Sequence, residues 1–435
     1  MSRKTVFVTG LFPERNGLFF SELCRNFRVI VFRGSGFPKV PQLPHELAED
    51  LVPAEAMRQA MLPHFHQVHL AATYIEEHLK RALPGAAPLS LAEFSRLNQV
   101  SGVCSADVAV FRELAKTVKI DRVVVNADYD YIRRRGIVMA ARELGIPCLG
   151  IEHGFMGAFA SRDSFKPNRE PILEYACDKV NFDSALETRI ALSRGRDGKV
   201  GHSSEALSLG TPQVQGHESL RDPLVSRREL GFSETSTVVA LMGTWFGTRM
   251  ISYLLRAQRD QRVFLRDLMA RLPSRPGEQW VHKVHPTFGN VRFAETKRWW
   301  DNLAHEAGAT APPIVADKLQ DVMAAADVIV CPFFSSVLWD AVVLGKPAIL
   351  VILPYLKDTL ASPGSLGQGN PVYESGCIEV AGDLDDLLGR IERYRDPQAR
   401  ALALERSKAF LREYAYGRDT ELEKARRVCA EIAGS

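Results

Sequence analysis

A chain of 435 residues is too long for one ordinary hydrophobic core and predicts two domains of roughly 200 residues each. With 46% hydrophobic and 25% charged residues, the composition excludes an intrinsically disordered protein. A formal charge of +3 gives no support to a general nucleic-acid binder, which would cluster its Lys and Arg. The seven cysteines stand singly, with no CxxC pair and no Cys/His spacing that suits zinc, as expected in a reducing compartment.

The start, Met1-Ser2-Arg3-Lys4, runs straight into a β-rich stretch at 5–9, which leaves no room for a signal peptide. No apolar run reaches the ~18–20 residues of a spanning helix. A cytoplasmic protein is expected, with any membrane contact peripheral and at the inner face. The strand at 5–9 ends in Gly10; a helix over 18–26 and a strand over 28–32 follow, the opening of a Rossmann-like half. Residues 40–118 read as mainly helical, with apolar spacing near 3.6 through 54–83. A strand at 122–126, a helix over 136–144, and strands at 147–151 and 179–182 restore the β/α pattern. The polar stretch 216–228 is the expected linker.

The second half opens on a buried-strand pattern at 237–242, then helices over 250–271 and a strand at 280–285. A helix over 319–326, a strand at 327–331, a helix over 337–344 and a strand at 347–352 continue it. Residues 383–433 read as helical. The expected architecture is α/β and GT-B-like: two Rossmann-like domains facing a cleft and closed by C-terminal helices. The expected bounds are 1–225 with the 40–118 helical insertion, 226–410, and a final 411–435 helix returning to the first domain.

Open parallel sheets bind ligands beyond the carboxyl ends of their strands, where helix N-termini present unpaired N–H groups. The chemistry-bearing residues are therefore sought just after each strand. Lys283-Val284-His285-Pro286 closes one strand of the second half; the imidazole can bond or protonate a phosphate, and Pro286 stiffens the exit turn. Lys283 and His282 add charge on opposite faces of that strand. Phe333-Phe334-Ser335-Ser336 lies between a strand and a helix, where its hydroxyls either cradle a phosphate or serve as a plain helix cap. Asp340, one turn into that helix, is placed to bond a sugar or ribose hydroxyl, or to complement the dipole. Gly243, Thr244 and Arg249 follow the first strand of the half, the glycine allowing close approach and the arginine pairing with a phosphate.

In the first half, Glu152-His153-Gly154 ends a strand and offers an acid or imidazole to deprotonate an acceptor hydroxyl. Asp128-Tyr129-Asp130 has the D-x-D shape of a metal-holding loop, but is read as a base or acceptor contact. Arg133-Arg134-Arg135 could hold an anionic acceptor or line a wet helix face. Lys297-Arg298-Trp299-Trp300 fits either a membrane-facing patch or the buried side of an amphipathic helix.

With KVHP at 283–286 and ADVIVCPFFSSVLWDAVVLGKPAILV at 326–351, the second half resembles the GT-B transferases of bacterial surface polysaccharides. These include capsule Kdo transferases, polysialyltransferases and teichoic-acid glycerophosphotransferases. The first half is similar at 122–130, at AARELGIPCLGIEHGFMG over 140–157 and at CDKVNFDS over 177–184. The resemblance implies a glycosyltransferase drawing on a nucleotide-sugar donor, CMP-, UDP- or GDP-linked, and a glycan or lipid-linked glycan acceptor. It implies no cofactor and no metal. It implies that His285 contacts the donor phosphate, with Ser335 and Ser336 as phosphate ligands. His153 falls on a histidine-glycine motif associated with the base, but Glu152 stands where those enzymes often have an aromatic residue or Gln. The base therefore stays open among Glu152, His153, Asp128 and Asp130.

Overall fold

The computed structural model describes residues 3–10, 17–32, 45–52, 107–126, 132–152, 175–182, 184–193, 204–210, 222–243, 251–285, 293–316, 318–332, 335–354, 374–413 and 420–434, with isolated positions at 55, 56, 59, 77, 81 and 199. Two parallel sheets organise it. The first contains β1 (Thr5–Thr9), β2 (Arg28–Phe32), β3 (Glu46–Leu47), β4 (Arg122–Asn126), β5 (Cys148–Ile151), β6 (Lys179–Asn181) and β7 (Glu205–Leu207) in the order β3-β2-β1-β4-β5-β6-β7. The second contains β8 (Thr237–Met242), β9 (Glu278–Lys283), β10 (Ile314–Val315), β11 (Val328–Cys331), β12 (Ala348–Val351) and β13 (Ile378–Ala381) in the order β10-β9-β8-β11-β12-β13. Every pairing is parallel. Each sheet starts at its centre, winds outward one way, then returns to wind outward the other way. This is the doubly wound plan, with its switch points between β1 and β4 and between β8 and β11.

The expected strands are present. β3, β7, β10 and β13 were not anticipated, because two- to four-residue edge strands carry too short a pattern to register. The helix after β4 begins at Ile132, before its expected start at 136, so the three arginines lie in its first turn. The expected linker contains a helix, Pro223–Glu229, started by Asp222, whose carboxylate accepts from Leu224 N at 2.8 Å, and by proline in the first turn.

Strands β4 and β8 are buried along their whole length, as parallel strands covered on both faces must be. One face of the first sheet packs Phe7, Ile30, Val123, Val125 and Phe182 against the helices over 107–117 and 132–143. The other gathers Val6, Val8, Val124 and Leu149 with Phe19, Phe20 and Leu23 of the Gly17–Asn26 helix. That second cluster is completed from the far end of the chain by Ala425, Val428, Cys429 and Ile432 of the Glu421–Gly434 helix. Lys179 pairs with Glu431 at 2.7 Å, Lys4 Nζ donates to the Ala433 carbonyl at 2.7 Å, and Arg427 Nε donates to that of Leu209 at 3.1 Å.

An aspartate placed just before a strand recurs at the amino ends. Asp121 accepts from Thr5 N, Asp178 from Cys148 N and Asp327 from Val238 N, each at 2.8 Å. These three carboxylates stitch a strand to its neighbour at the sheet edge opposite the ligand side. Lys346, part of the Gly-Lys-Pro segment, sits at that edge too, with Nζ donating to the carbonyls of Ala324 and Ala326. Burial lowers its pKa to about 8.

Candidate functional site

In the second sheet, His285 and Ser335 follow β9 and β11, the strands on either side of β8. Strands about 4.8 Å apart put those two exits on the order of 10 Å from one another, across the end of β8. Gly243 occupies that central end. Its N–H donates 2.7 Å to the Lys283 carbonyl. A Cβ on Gly243 would lie 2.9 Å from His285 N, 3.0 Å from the Lys283 carbonyl oxygen and 3.2 Å from Val284 Cα. All three are backbone atoms, so no side chain can rotate out of the way. Gly243 therefore acts on His285 by letting β8 and β9 run close together to their ends. Gly243→Ala is expected to cost about 1–3 kcal/mol of stability through overpacking. Urea unfolding checks it; an unchanged midpoint would show that the two strand ends can part without cost.

Lys283 is buried, and its ammonium donates to the carbonyls of Val284 and Ala316, each at 2.7 Å, tying the ends of β9 and β10. His282 faces the other way, buried and stacked on Trp300 with ring centroids 4.3 Å apart, its Nδ1 3.2 Å from the Leu241 carbonyl. Burial brings its pKa down to about 4. It is a neutral core imidazole at neutral pH, which corrects the expectation that it adds charge near the strand end. The sign for stability follows from the depressed value. Between pH 6.5 and 4 the unfolded chain binds the proton more readily. The contribution of His282 is complete above 6.5 and falls by about 3 kcal/mol as pH drops to 4. Urea unfolding at pH 7 and pH 4.5 should show a loss that His282→Phe reduces; equal pH slopes would refute it.

Ser335 is the cap of the Ser336–Val343 helix, with φ −144° and ψ 143°, its Oγ accepting from Val337 N at 3.4 Å. The long bond is a weak one, so this amide is only lightly engaged. Asp340 is half-buried on the same helix, and its charge, after burial, helps to raise the pKa of the Cys331 thiol at the end of β11. Pro286, Thr244 and Arg249 lie outside the described residues.

In the first sheet, Glu152 directly follows β5. It is 1% exposed, its N–H donates to the Asn181 carbonyl at 2.9 Å, and its Oε2 accepts from the Tyr175 hydroxyl at 2.6 Å. Tyr175 was not singled out in the sequence, since nothing in its local pattern ties it to a residue 23 positions earlier. His153, Asp128 and Asp130 lie outside the described residues. Asn126 and Arg134 meet at the carboxyl end of β4, where the arginine donates to the asparagine carbonyl at 2.5 Å. In the Lys297–Trp300 segment, Trp300 lies on the buried side of the helix, 1% exposed and donating to the Pro312 carbonyl at 2.8 Å, and Trp299 is 36% exposed. Among the described residues, no group of three or more His, Cys, Asp or Glu is placed to hold a metal ion, and no helix is long and apolar enough to cross a membrane.

No family model matches the chain, and no curated protein matches its sequence. Solved structures do match over nearly the whole length. Sucrose-phosphate synthase from Thermosynechococcus elongatus is 14% identical with a TM-score of 0.54, covering 100% of both chains. UDP-GlcNAc 2-epimerase from Neisseria meningitidis, bound to UDP-GlcNAc, is 11% identical with a TM-score of 0.51, covering 99% of both. The wall teichoic acid polymerase TagF, in a crystal soaked with CDPG, is 11% identical with a TM-score of 0.51, covering 99% of this chain and 88% of that one.

The fold is GT-B. At these identities the likeness concerns architecture, and the GT-B plan itself accounts for the two switch points. In a GT-B chain the residues after β8, β9 and β11 belong to one sheet's ligand side, and those after β1, β4 and β5 to the other's.

Proposed function

We propose that the chain is a glycosyltransferase that moves a sugar from a nucleotide-sugar donor to a surface polysaccharide or lipid-linked glycan acceptor at the inner face of the membrane. Residues 226–410 would hold the donor and residues 1–225 the acceptor. The observation that carries this reading is the junction of Gly243 with the His285 backbone at the carboxyl end of β8. It holds the His285 backbone beside the second sheet's switch point, and a serine-capped helix follows β11 on the other side of β8. His285 would bond the departing phosphate and supply a proton, and the N-terminal amides of the Ser336–Val343 helix would take phosphate oxygens. Ser336 and Asp340 would add hydroxyl and carboxylate contacts, with Thr244 and Arg249 following Gly243. Lys283 would act on the donor only through the strand ends it ties.

On the acceptor side we assign the base to His153. Glu152 is sealed in a hydrogen bond with Tyr175 and is better suited to fixing the strand end from which His153 follows. Asp128 and Asp130 would contact acceptor hydroxyls, and no metal is required. The similar structures holding UDP-GlcNAc and CDPG lend the donor class support.

A thermal-shift screen with CMP, UDP, GDP, CDP-glycerol and the corresponding sugar nucleotides tests the reading. One nucleotide should raise the melting temperature strongly, and its sugar conjugate should be consumed only when a glycan acceptor is present. Protection by CDP-glycerol alone would redirect the proposal to glycerophosphate transfer. A second reading, sugar-nucleotide epimerisation, is favoured by the similarity to 2-epimerases and predicts product without an acceptor. If no nucleotide protects, the transferase reading fails and a non-catalytic glycan-assembly subunit is favoured.

A further inference from the structure

At the amino edge of the second sheet, Asp327 stands among three cations. Its Oδ2 accepts from Arg227 Nη2 at 2.5 Å and from Val238 N at 2.8 Å, and its Oδ1 lies 3.9 Å from Arg400 Nε. Lys346 is the third cation: its Nζ donates to the carbonyl of Ala326, the residue before Asp327, at 2.8 Å and to that of Ala324 at 3.1 Å. The four residues come from separate parts of the fold. Arg227 belongs to the Pro223–Glu229 helix, Asp327 precedes β11, Lys346 leads into β12 and Arg400 lies in the Pro397–Glu413 helix.

The charges of this node do not balance. One carboxylate faces three cations, and the carbonyls that end the Leu319–Ala325 helix add about half a negative charge. Acids along the same segments are engaged elsewhere: Asp396, one turn before Arg400, accepts from Gln398 N at 2.9 Å, and Glu234 lies 4.0 Å from Arg228. Within the node itself about 1.5 positive charges are unmatched. The excess shows at Lys346, where burial, with Arg227 and Arg400 acting against Asp327, lowers the pKa to about 8.

Two of the three cations also keep a donor in reserve. Arg400 Nη1 donates to the carbonyls of Tyr394 at 2.6 Å and Arg395 at 3.1 Å, whereas its Nη2 has no bond among the described residues; the side chain is 28% exposed. Lys346 uses two of its three N–H groups. Arg227, by contrast, spends Nε, Nη1 and Nη2 on the protein.

We infer that Arg400 and Lys346, backed by Arg227, form a binding site for a phosphoryl anion at the amino edge of the second sheet. Arg400 Nη2 and Lys346 Nζ donate to its oxygens, and its charge offsets the excess that Asp327 leaves. A bound anion joins the Pro397–Glu413 helix to the approach to β12 and stabilises the fold. The site lies at the strand ends opposite His285 and does not depend on the transferase reading.

Calorimetric and phosphorus-NMR titration of the full chain with inorganic phosphate and with glucose 1-phosphate tests the site. At least one should bind saturably, with a Kd below about 1 mM. Arg400→Gln and Lys346→Met should each weaken that binding tenfold or more, Arg400→Lys should retain most of it, and His285→Ala should leave it unchanged. Inorganic phosphate binding as tightly as glucose 1-phosphate identifies the free anion as the ligand, and a tenfold preference for glucose 1-phosphate identifies a phosphomonoester. The melting temperature should rise more in phosphate than in chloride of equal ionic strength, and Arg400→Gln should lose that increment. No saturable binding, or equal binding by the parent and Arg400→Gln, overturns the inference. So does binding that survives Arg400→Gln and disappears in His285→Ala, which places the anion at the donor side instead. Should Lys346→Met fail to fold, the two Arg400 variants still decide.

Discussion

Replacing His285 with Ala is expected to lower transfer at least a hundredfold and to leave the melting temperature within about 2 °C of the parent. The imidazole is only half-buried, and main-chain bonds together with the Lys283 ammonium hold this strand end. Val284 N donates to the Val315 carbonyl at 2.9 Å and Gly243 N to the Lys283 carbonyl at 2.7 Å. Deleting the ring leaves both in place. His285→Gln then separates two roles for the ring, because an amide can bond a phosphate oxygen but cannot deliver a proton at neutral pH. Recovery of donor affinity without recovery of turnover assigns proton transfer to His285. Recovery of both assigns phosphate binding alone, and an unchanged turnover in the alanine variant would remove the residue from the chemistry altogether.

The opposite outcome is expected at the other edge of the same sheet. Arg227 is 8% exposed and donates to Asp327 Oδ2 at 2.5 Å and to the carbonyls of Ala325 at 3.0 Å, Glu234 at 2.9 Å and Ser236 at 3.2 Å. It joins the Pro223–Glu229 helix, the approach to β8 and the approach to β11 in one node. Arg227→Met keeps the volume but strips four acceptors of a donor and leaves Asp327 short of its closest cation. Removing one partner of a buried, hydrogen-bonded ion pair costs about 3–5 kcal/mol. The loss should appear as a lower urea midpoint with the slope preserved. The protein that remains folded should turn over normally, since the node lies at the amino ends of the strands. A loss below about 1 kcal/mol would show that water or Arg400, 3.9 Å from Asp327, takes over the role.

Much of this plan can be read from the sequence, for identifiable reasons. Central strands such as Thr237–Met242 are apolar on both faces, so their composition alone marks them. The aspartates at 121, 178 and 327, each just before a strand, show their sheet-fastening role only in the structure. Both serines and the histidine-proline segment stand out in the sequence because a strand end followed by a helix start is a local signal. What escaped was the long-range pairing. Tyr175 with Glu152, Arg134 under Gly10 and Trp300 on His282 each join residues whose own neighbourhoods look ordinary. An asparagine closing an apolar strand, as at Asn126 and Asn181, is the one local cue to that hidden layer: the chain places an amide there when backbone groups past the strand need a partner. His282 and His285 show the same limit, since both are histidines near the end of β9 and only burial separates the enclosed core ring from the half-buried one.

The Glu421–Gly434 helix also sets a timetable for synthesis. The cluster of Val6, Val8, Val124 and Leu149 has the Gly17–Asn26 helix early, but its contribution from Ala425, Val428, Cys429 and Ile432 comes only when residues 421–434 emerge. At about 5–20 residues per second, the roughly 200 residues between β7 and that helix impose a delay of tens of seconds. During that interval the apolar side of the Gly17–Asn26 helix and the sheet beside it lack part of their packing. The first half should therefore be the part that depends on a chaperone in the cell, and it should aggregate when expressed without its final helix.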